Sequence, residues 1–345
     1  MIDFGAPLHV TLVATPDAQV APLSGLYETL NSFALLAEFE SDIPPRPFVV
    51  EIVAPSVNST RGASGLPLGA HGTYDDVKHT NIAIIPLMMV EGPNWVPGRY
   101  PGLVKWLKKM HREGTILCSA CTGVLLLAET GLLSGLEATI HWAFAPTFHR
   151  NFPDVHLRTQ EVLITAGNRH EFVMTGGVMS WHDLALHLIA RHIGPTAAQA
   201  MARLLMLEWH GDGQMLNIAF SPRLDHGDSL VAQLQEWLQG HYMIANPIEE
   251  LAARATLSER SIERRFRKAT GNTPLSYVQN LRISEARRRL ERTDMPVEEI
   301  GYDVGYENTA FFRKVFKRMT RLTPGAYRRK FQMAGIMPEK KDAYG

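Results

Sequence analysis

The sequence predicts an α/β domain built on a parallel sheet, followed by an all-α domain of two helix-turn-helix units. Three observations carry that prediction. Residues 8 to 193 alternate strand-like and helix-like runs, the pattern of a parallel sheet covered on both faces. Residues 247 to 324 repeat themselves at an offset of 49 to 50 positions, and an internal repeat sets architecture before any local signal. The stretch 241–332 carries 19 Lys and Arg against 11 Asp and Glu, a net of +8, although the whole chain sums to zero. The length of 345 residues fits two domains on a prior of about 150 residues each.

The elements follow in order. Leu8 to Ala14 reads as a short apolar strand, and Ser24 to Phe39 as a helix with Leu26, Leu30, Phe33, Ala34 and Ala37 on one face. Pro44-Pro45-Arg46-Pro47 breaks the chain before a second strand, Phe48 to Ala54. Asn81 to Pro86 is a buried strand. Tyr100 to Glu113 is an amphipathic helix on Leu103, Trp106, Leu107 and Met110. Thr115 to Ala120 is a strand that passes directly into a helix through Leu125 to Leu127. Val162 to Ala166 and Phe172 to Thr175 are later strands. Val178 to Ile193 closes the domain and stops at Gly194-Pro195. The expected boundaries are 6–194 for the α/β domain, 195–227 for linker helices with a flexible joint at Gly211-Asp212-Gly213, 228–332 for the helical domain and 333–345 for a tail.

In the repeat, Ile248-Glu249-Glu250-Leu251-Ala252 returns as Val297-Glu298-Glu299-Ile300-Gly301, and Thr273-Pro274 as Thr323-Pro324. Each copy reads as a short helix, a turn and a second helix, with turns at Ala255-Thr256 and Val304-Gly305. Ser258 and Asn308 are residue types that cap helix starts. Leu257, Ile262 and Phe266 point inward, as do Tyr306, Phe312 and Phe316. Arg260, Ser261, Arg264 and Arg265, then Thr309, Arg313, Lys314 and Lys317, face outward. A helix-turn-helix presents that outward face of its second helix to the major groove, and the local cationic excess is the electrostatic footprint of a phosphate-binding domain. Double-stranded DNA is therefore the expected partner, and Ser258, Arg260, Ser261, Arg264, Arg265, Asn308, Thr309, Arg313, Lys314 and Lys317 are its candidate contacts. Glu263 either accepts from a cytosine or pairs with Arg267 four residues on.

One point in the first domain invites chemistry. Cys121 sits where a buried strand turns into a helix, in Ser119-Ala120-Cys121-Thr122-Gly123. A helix N-terminus lowers a thiol pKa, and His141 follows in Ala138-Thr139-Ile140-His141-Trp142. A Cys/His pair is the minimum for nucleophilic catalysis. The competing reading makes Cys121 a small elbow residue and His141 a polar pocket lining. Only two cysteines, Cys118 and Cys121, are present, so the framework is not disulfide-based, which fits a reducing cytoplasm. No signal peptide and no run of about 18 apolar residues is found. No P-loop or dinucleotide fingerprint occurs, and the loop glycines Gly62, Gly65, Gly69 and Gly72 fit no phosphate motif. His182, His187 and His192 are five apart and share no helix face, and Cys118 lacks a second ligand pair, so neither a metal nor a cofactor is expected.

Residues 228 to 332 resemble the AraC/XylS family DNA-binding domain. The resemblance rests on the long joining helix Pro274 to Glu291, on Gly305-Tyr306-Glu307-Asn308 and Phe311 through Arg318, and on Thr323-Pro324-Gly325-Ala326-Tyr327-Arg328. The first domain is similar to PfpI/ThiJ-type class I glutamine amidotransferase-like domains, and the whole span 8–332 to GlxA-family transcriptional regulators. That likeness rests on Cys121-Thr122-Gly123, Ala128 through Gly135, Ala138 through Trp142, Thr175-Gly176-Gly177, Asp183 through Leu186, and Gly211-Asp212-Gly213-Gln214. It implies a flavodoxin-like sheet, a ligand pocket at Cys121, Thr122, His141 and Trp142, a homodimer formed through the first domain, a small-molecule effector, and RNA polymerase as a further conceivable partner. Enzymes of this superfamily often place an acid beside the elbow cysteine and glycine amides after the strand that ends here at Pro86. This chain has Pro22 and Leu87-Met88-Met89 instead. The resemblance thus implies a regulator without catalysis, with Cys121 and His141 as vestigial candidates. A cysteine-dependent hydrolase or amidotransferase with an accessory DNA-binding domain, and a ligand-free dimerisation scaffold, are the alternatives.

Overall fold

Strand Ile82–Ile85 is buried at all four positions, as a strand must be when helices cover both faces of its sheet. Ile82 and Ile84 enter one apolar core and Ala83 and Ile85 the other, as the two-residue period of a strand requires. The computed structural model describes residues 6–57, 61–90, 94–210, 220, 222 and 226–332, and the chain divides into two compact units, Met1–Gln214 and Met215–Gly345.

In the first unit the elements run β1 (Leu8–Val13), α1 (Val20–Asn31), α2 (Phe33–Phe39), β2 (Phe48–Ala54), β3 (Gly72–Thr73), β4 (Ile82–Ile85), α3 (Pro101–Arg112), β5 (Ile116–Ala120), α4 (Gly123–Glu129), β6 (Glu137–Ala138), α5 (Ala145–Asn151), β7 (His156–Leu157), β8 (Leu163–Ala166), β9 (Phe172–Thr175), α6 (Trp181–His192) and α7 (Pro195–Leu204). The main sheet has the order β3-β2-β1-β4-β5-β9-β8, and β6 pairs with β7 apart from it. Helices α1, α2, α6 and α7 pack on one face through Leu26, Phe33, Leu188 and Met201. Helices α3, α4 and α5 cover the other through Trp106, Leu126 and Phe148.

Three features depart from the sequence reading. The sheet is mixed, because β8 is antiparallel to β9. Only residues 167–171 join these strands, too few for the crossover that parallel strands need, and Gly167 and His170 turn the chain in left-handed conformations. The helix expected over 24–39 begins earlier, at Val20, and is two helices. Asn31 and Ser32 bond back to the carbonyls of Tyr27 and Glu28, competing with the helical ladder where it breaks. Helix α7, expected in the linker, instead packs Ala197, Ala198, Ala200 and Met201 into the first unit's core. The three alanines allow close approach to α6. The glycines 211–213 and the tail 333–345 lie outside the described residues.

The second unit comprises α8 (Ser229–His241), α9 (Pro247–Ala255), α10 (Glu259–Thr270), α11 (Pro274–Arg292), α12 (Val297–Asp303), α13 (Thr309–Thr320) and α14 (Pro324–Phe331). The duplication is visible in its stereochemistry. The turn of each helix pair holds one left-handed residue, Thr256 (φ 52°) and Gly305 (φ 90°). Each second helix ends on another, Gly271 (φ 77°) and Arg321 (φ 64°). Thr273 and Thr323 cap the helices that follow. Two small cores result, and α11 serves both: Tyr277 and Val278 enter the first, Ile283, Ala286 and Leu290 the second. At the junction Arg282 donates from Nε to Tyr242 O and from Nη2 to Ile244 O, each at 2.7 Å, and lies over the Tyr306 ring at 5.1 Å. Among the described residues no helix is long and apolar enough to cross a membrane.

Gly305 is the tightest point of the repeat. A Cβ there would lie 2.8 Å from Met243 Cα and 3.2 Å from Arg282 Cζ, on a left-handed backbone. Gly305→Ala should therefore cost roughly 2–4 kcal/mol, from backbone strain and overpacking together. Thr256→Gly relieves a β-branched left-handed residue, so stability should rise, by up to about 1 kcal/mol. Urea denaturation of both variants checks the pair, and equal stability for Gly305→Ala would show that the turn is not confined as described.

Candidate functional site

Two surfaces hold the residues singled out by the sequence. On the second unit, Ser258 Oγ accepts from the Ser261 amide at 3.3 Å and Asn308 Oδ1 from Phe311 at 2.9 Å. Both side chains thus cap α10 and α13, fixing the helix starts rather than lying free. Ser261 is half-buried, its hydroxyl bonded to Ser258, and Thr309 opens α13 half-exposed. Arg260 and Arg264 are exposed on α10, Lys314 and Lys317 on α13, and among the described residues none of the four has an ion pair. Their concave surroundings include a groove of about 410 Å³ lined by Arg260, Glu263, Arg264, Arg267 and Lys268.

The remaining cations are engaged. Arg265 meets the Asp228 carboxylate with two bonds, Nε–Oδ2 at 2.7 Å and Nη2–Oδ1 at 3.0 Å. That bidentate pair holds the Asp228 carboxyl below its usual range and ties the start of α8 to α10. Arg313 pairs with Glu298 of α12. Glu263 pairs with Arg267 at 3.3 Å, which is one of the two roles its spacing left open. The spacing of Arg265 reports only that it faces outward; Asp228 is 37 residues away, so no local pattern reveals their bond.

At the elbow of the first unit, Cys121 adopts φ 53° between β5 and α4, its amide donating to Thr175 O at 2.7 Å. The residue is fully buried, and burial pushes its thiol up to about 12, although hydrogen bonds from Thr122 and from the His141 main chain oppose the shift. The His141 imidazole turns elsewhere: Nδ1 accepts from the Ala143 amide at 3.3 Å, and the ring is 5.1 Å from that of Trp142. Burial lowers its pKa. Thr122 Oγ1 accepts from the Met88 amide at 3.0 Å and donates to Met88 O. The Met89 amide is bonded to Asp17 O. Two amides that follow β4 are therefore already used, so they are not aimed at a developing oxyanion. Pro22 lies buried in the first turn of α1. Asp17, earlier on that approach, is bonded by the Tyr100 hydroxyl and paired with Arg99 at 2.8 Å. An open groove of about 540 Å³ lies nearby, lined by Gln19, Val20, Ser24, Ser64, Leu66 and Met89. Cys121 and Thr122 are closed off, while His141 and Trp142 are half-buried.

The fold and its two surfaces define a two-part protein, a flavodoxin-like domain joined to a paired helix-turn-helix domain. Residues 24–174 match the model of the DJ-1/PfpI family and residues 251–330 that of a helix-turn-helix domain. The chain thus joins a DJ-1/PfpI domain to an AraC-type helix-turn-helix domain. It is 29% identical over 284 residues to the HTH-type transcriptional regulator CdhR of Pseudomonas aeruginosa, covering 81% of this chain and 80% of the relative. It is 27% identical over 233 residues to the HTH-type transcriptional regulator GlxA of Rhizobium meliloti, covering 65% and 68%. A crystal structure of a protein from Vibrio parahaemolyticus aligns with TM-score 0.50 and 23% identity, covering 58% of this chain and all of that one; this likeness speaks for the fold alone.

A buried thiol with a pKa near 12 holds almost no thiolate at pH 8. Iodoacetamide should alkylate native Cys121 about a thousandfold more slowly than a free thiol, with Cys121→Ser distinguishing it from Cys118. Rapid stoichiometric labelling would show that the elbow opens.

Proposed function

We propose that this protein is a sequence-specific DNA-binding transcriptional regulator whose DJ-1/PfpI domain senses a small molecule and performs no catalysis. The observation that carries the reading is the pair of matched helices, α10 and α13, each with exposed cations and each packed against the same rigid α11. At 1.5 Å per residue, α11 spans about 28 Å, suited to placing two recognition helices in successive major grooves on one DNA face. The HTH-type regulators among its relatives support the same role. Absence of catalysis is supported by the buried, protonated thiol, the imidazole turned to Ala143, and the amides of Met88 and Met89 engaged within the protein.

The effector is a small metabolite, and the groove beside α1 is its entry to the elbow region. The protein acts in the cytoplasm as a homodimer formed through the first domain, with RNA polymerase as a further partner at promoters. The DNA-contact set is led by Arg260, Arg264, Lys314 and Lys317. Arg313 exchanges Glu298 for DNA, while Arg265 serves to hold α8.

Two expectations follow from this division. Arg260→Ala or Arg264→Ala should lose roughly 1–3 kcal/mol on the preferred site and relax sequence choice at one cluster of bases. Arg313→Ala should act at a second cluster about 10 base pairs away. Lys317→Ala should weaken all sequences alike and flatten the salt dependence. Binding-site selection and footprinting read all four, and one shared cluster for Arg264 and Arg313 would sink the two-groove arrangement. Separately, a fragment beginning at His226 keeps the Asp228 cap and the His226–Gln235 bond. It should fold and bind the same site more weakly than the full chain; a random-coil circular dichroism spectrum would place the boundary elsewhere.

A further inference from the structure

His182 and Asp183 open α6, and the chain returns 27 residues later to lay His210 against them. Asp183 is almost fully buried, with 1% of its surface exposed, and His182 keeps 7%. The Asp183 carboxylate takes two bonds from His210: Oδ1 accepts from the backbone amide at 2.8 Å, and Oδ2 lies 2.9 Å from Nδ1. His182 stacks on His210, with ring centroids 4.9 Å apart and planes within 12°. Its Nδ1 stands 3.9 Å from Asp183 Oδ2, beyond hydrogen-bond range, and it is buried without a hydrogen-bond partner. A buried polar atom left in that state costs stability unless something binds it. One ligand atom from each of the three residues lies within 4.8 Å of the others.

We propose that His182, Asp183 and His210 form a binding site for a divalent transition metal of the zinc type. Two imidazoles and one carboxylate are the nitrogen and oxygen donors such ions take, at about 2.0–2.2 Å from the metal. At a tetrahedral centre those bonds place ligand atoms roughly 3.3 Å apart, between the 2.9 and 3.9 Å separations at Asp183 Oδ2. Shifts of roughly half an ångström, His210 outward and His182 inward, would even them. Binding displaces the His210–Asp183 hydrogen bond and supplies His182 Nδ1 with a partner. Three protein donors leave a fourth position for water or for a donor atom of a small molecule. The ion would hold His210 against the start of α6. No contact to the elbow or to DNA is involved, and the site stands apart from the proposed function above.

The test uses the full-length chain, freed of any affinity tag, stripped with chelator and titrated with Zn²⁺ by calorimetry and with Co²⁺ by visible absorption. One equivalent should bind, with the absorption of a low-symmetry Co²⁺ site and a raised melting temperature. His210→Ala, a change at a partly exposed position, should fold and bind at least ~100-fold more weakly. His182→Gln should do the same. The pairs His9–Glu51 and His111–Glu171 offer two donors each and form the background that these variants subtract. No stoichiometric binding by the wild-type chain, or unchanged affinity in folded His210→Ala, would overturn the assignment.

Discussion

The Arg282 clamp is the interaction on which the helical unit depends. A half-buried guanidinium reaches two backbone carbonyls of the α8–α9 connection and lies across the ring of Tyr306 in the second repeat. Hydrogen bonds from a charged donor contribute about 1.5–3 kcal/mol each. Their geometric effect is larger than their energy. The first apolar core lies N-terminal to Arg282 along α11 and the second C-terminal to it, so neither core alone fixes the angle between the repeats. Arg282 joins them at the one place where both are within reach. Gly305 must be glycine because Met243 and the guanidinium occupy the space a side chain would need. The long helix supplies the spacing of the two recognition helices, and the clamp supplies their orientation.

The first unit has its own constraint at the strand ends. Cys121 is held left-handed by Thr175, and a Cβ on Gly123 would come 2.5 Å from Ile85 O and 2.6 Å from Pro86 O. This is the sharp geometry that exposes a nucleophile in an α/β enzyme, but what surrounds it differs. The antiparallel bridge between Ala18 and Met88 folds the segment after β4 back onto the approach to α1. That contact consumes the Met89 amide, and Thr122 consumes that of Met88. The elbow keeps its shape while the groups that would act around it are bonded to one another.

Much of this was legible in the sequence, and the division is physical. Periodic signals gave the strands Phe48–Ala54 and Phe172–Thr175 to the residue, since apolar runs flanked by turns record burial directly. The duplication revealed both turns and both caps, because a repeat doubles every local signal. The antiparallel course of β8 could have been read from its five-residue connection. Pairings across distance could not: Arg265 with Asp228, Arg313 with Glu298, and His210 with Asp183 join residues whose spacing carries no information. Even the spacing argument about His182, His187 and His192 asked about one helix, whereas the partner of His182 comes from the returning chain.

These long-range pairs separate cations that hold the fold from cations available to a ligand. Arg265 has both ends of its fork on one carboxylate that also caps α8, so leaving it would release a helix start as well as an ion pair. Arg313 and Glu298 are each about half exposed, and an exposed pair of that kind contributes only about 0–1 kcal/mol. Exchange of Glu298 for a phosphate or a base is therefore cheap for Arg313 and expensive for Arg265, although sequence placed both on the outward face. On α10 the engaged residues, Arg265 and Arg267, lie C-terminal to the open ones, Arg260 and Arg264. The ion pairs thereby narrow a general cationic face to a few side chains at defined positions, which is what sequence-specific contact requires beyond charge alone.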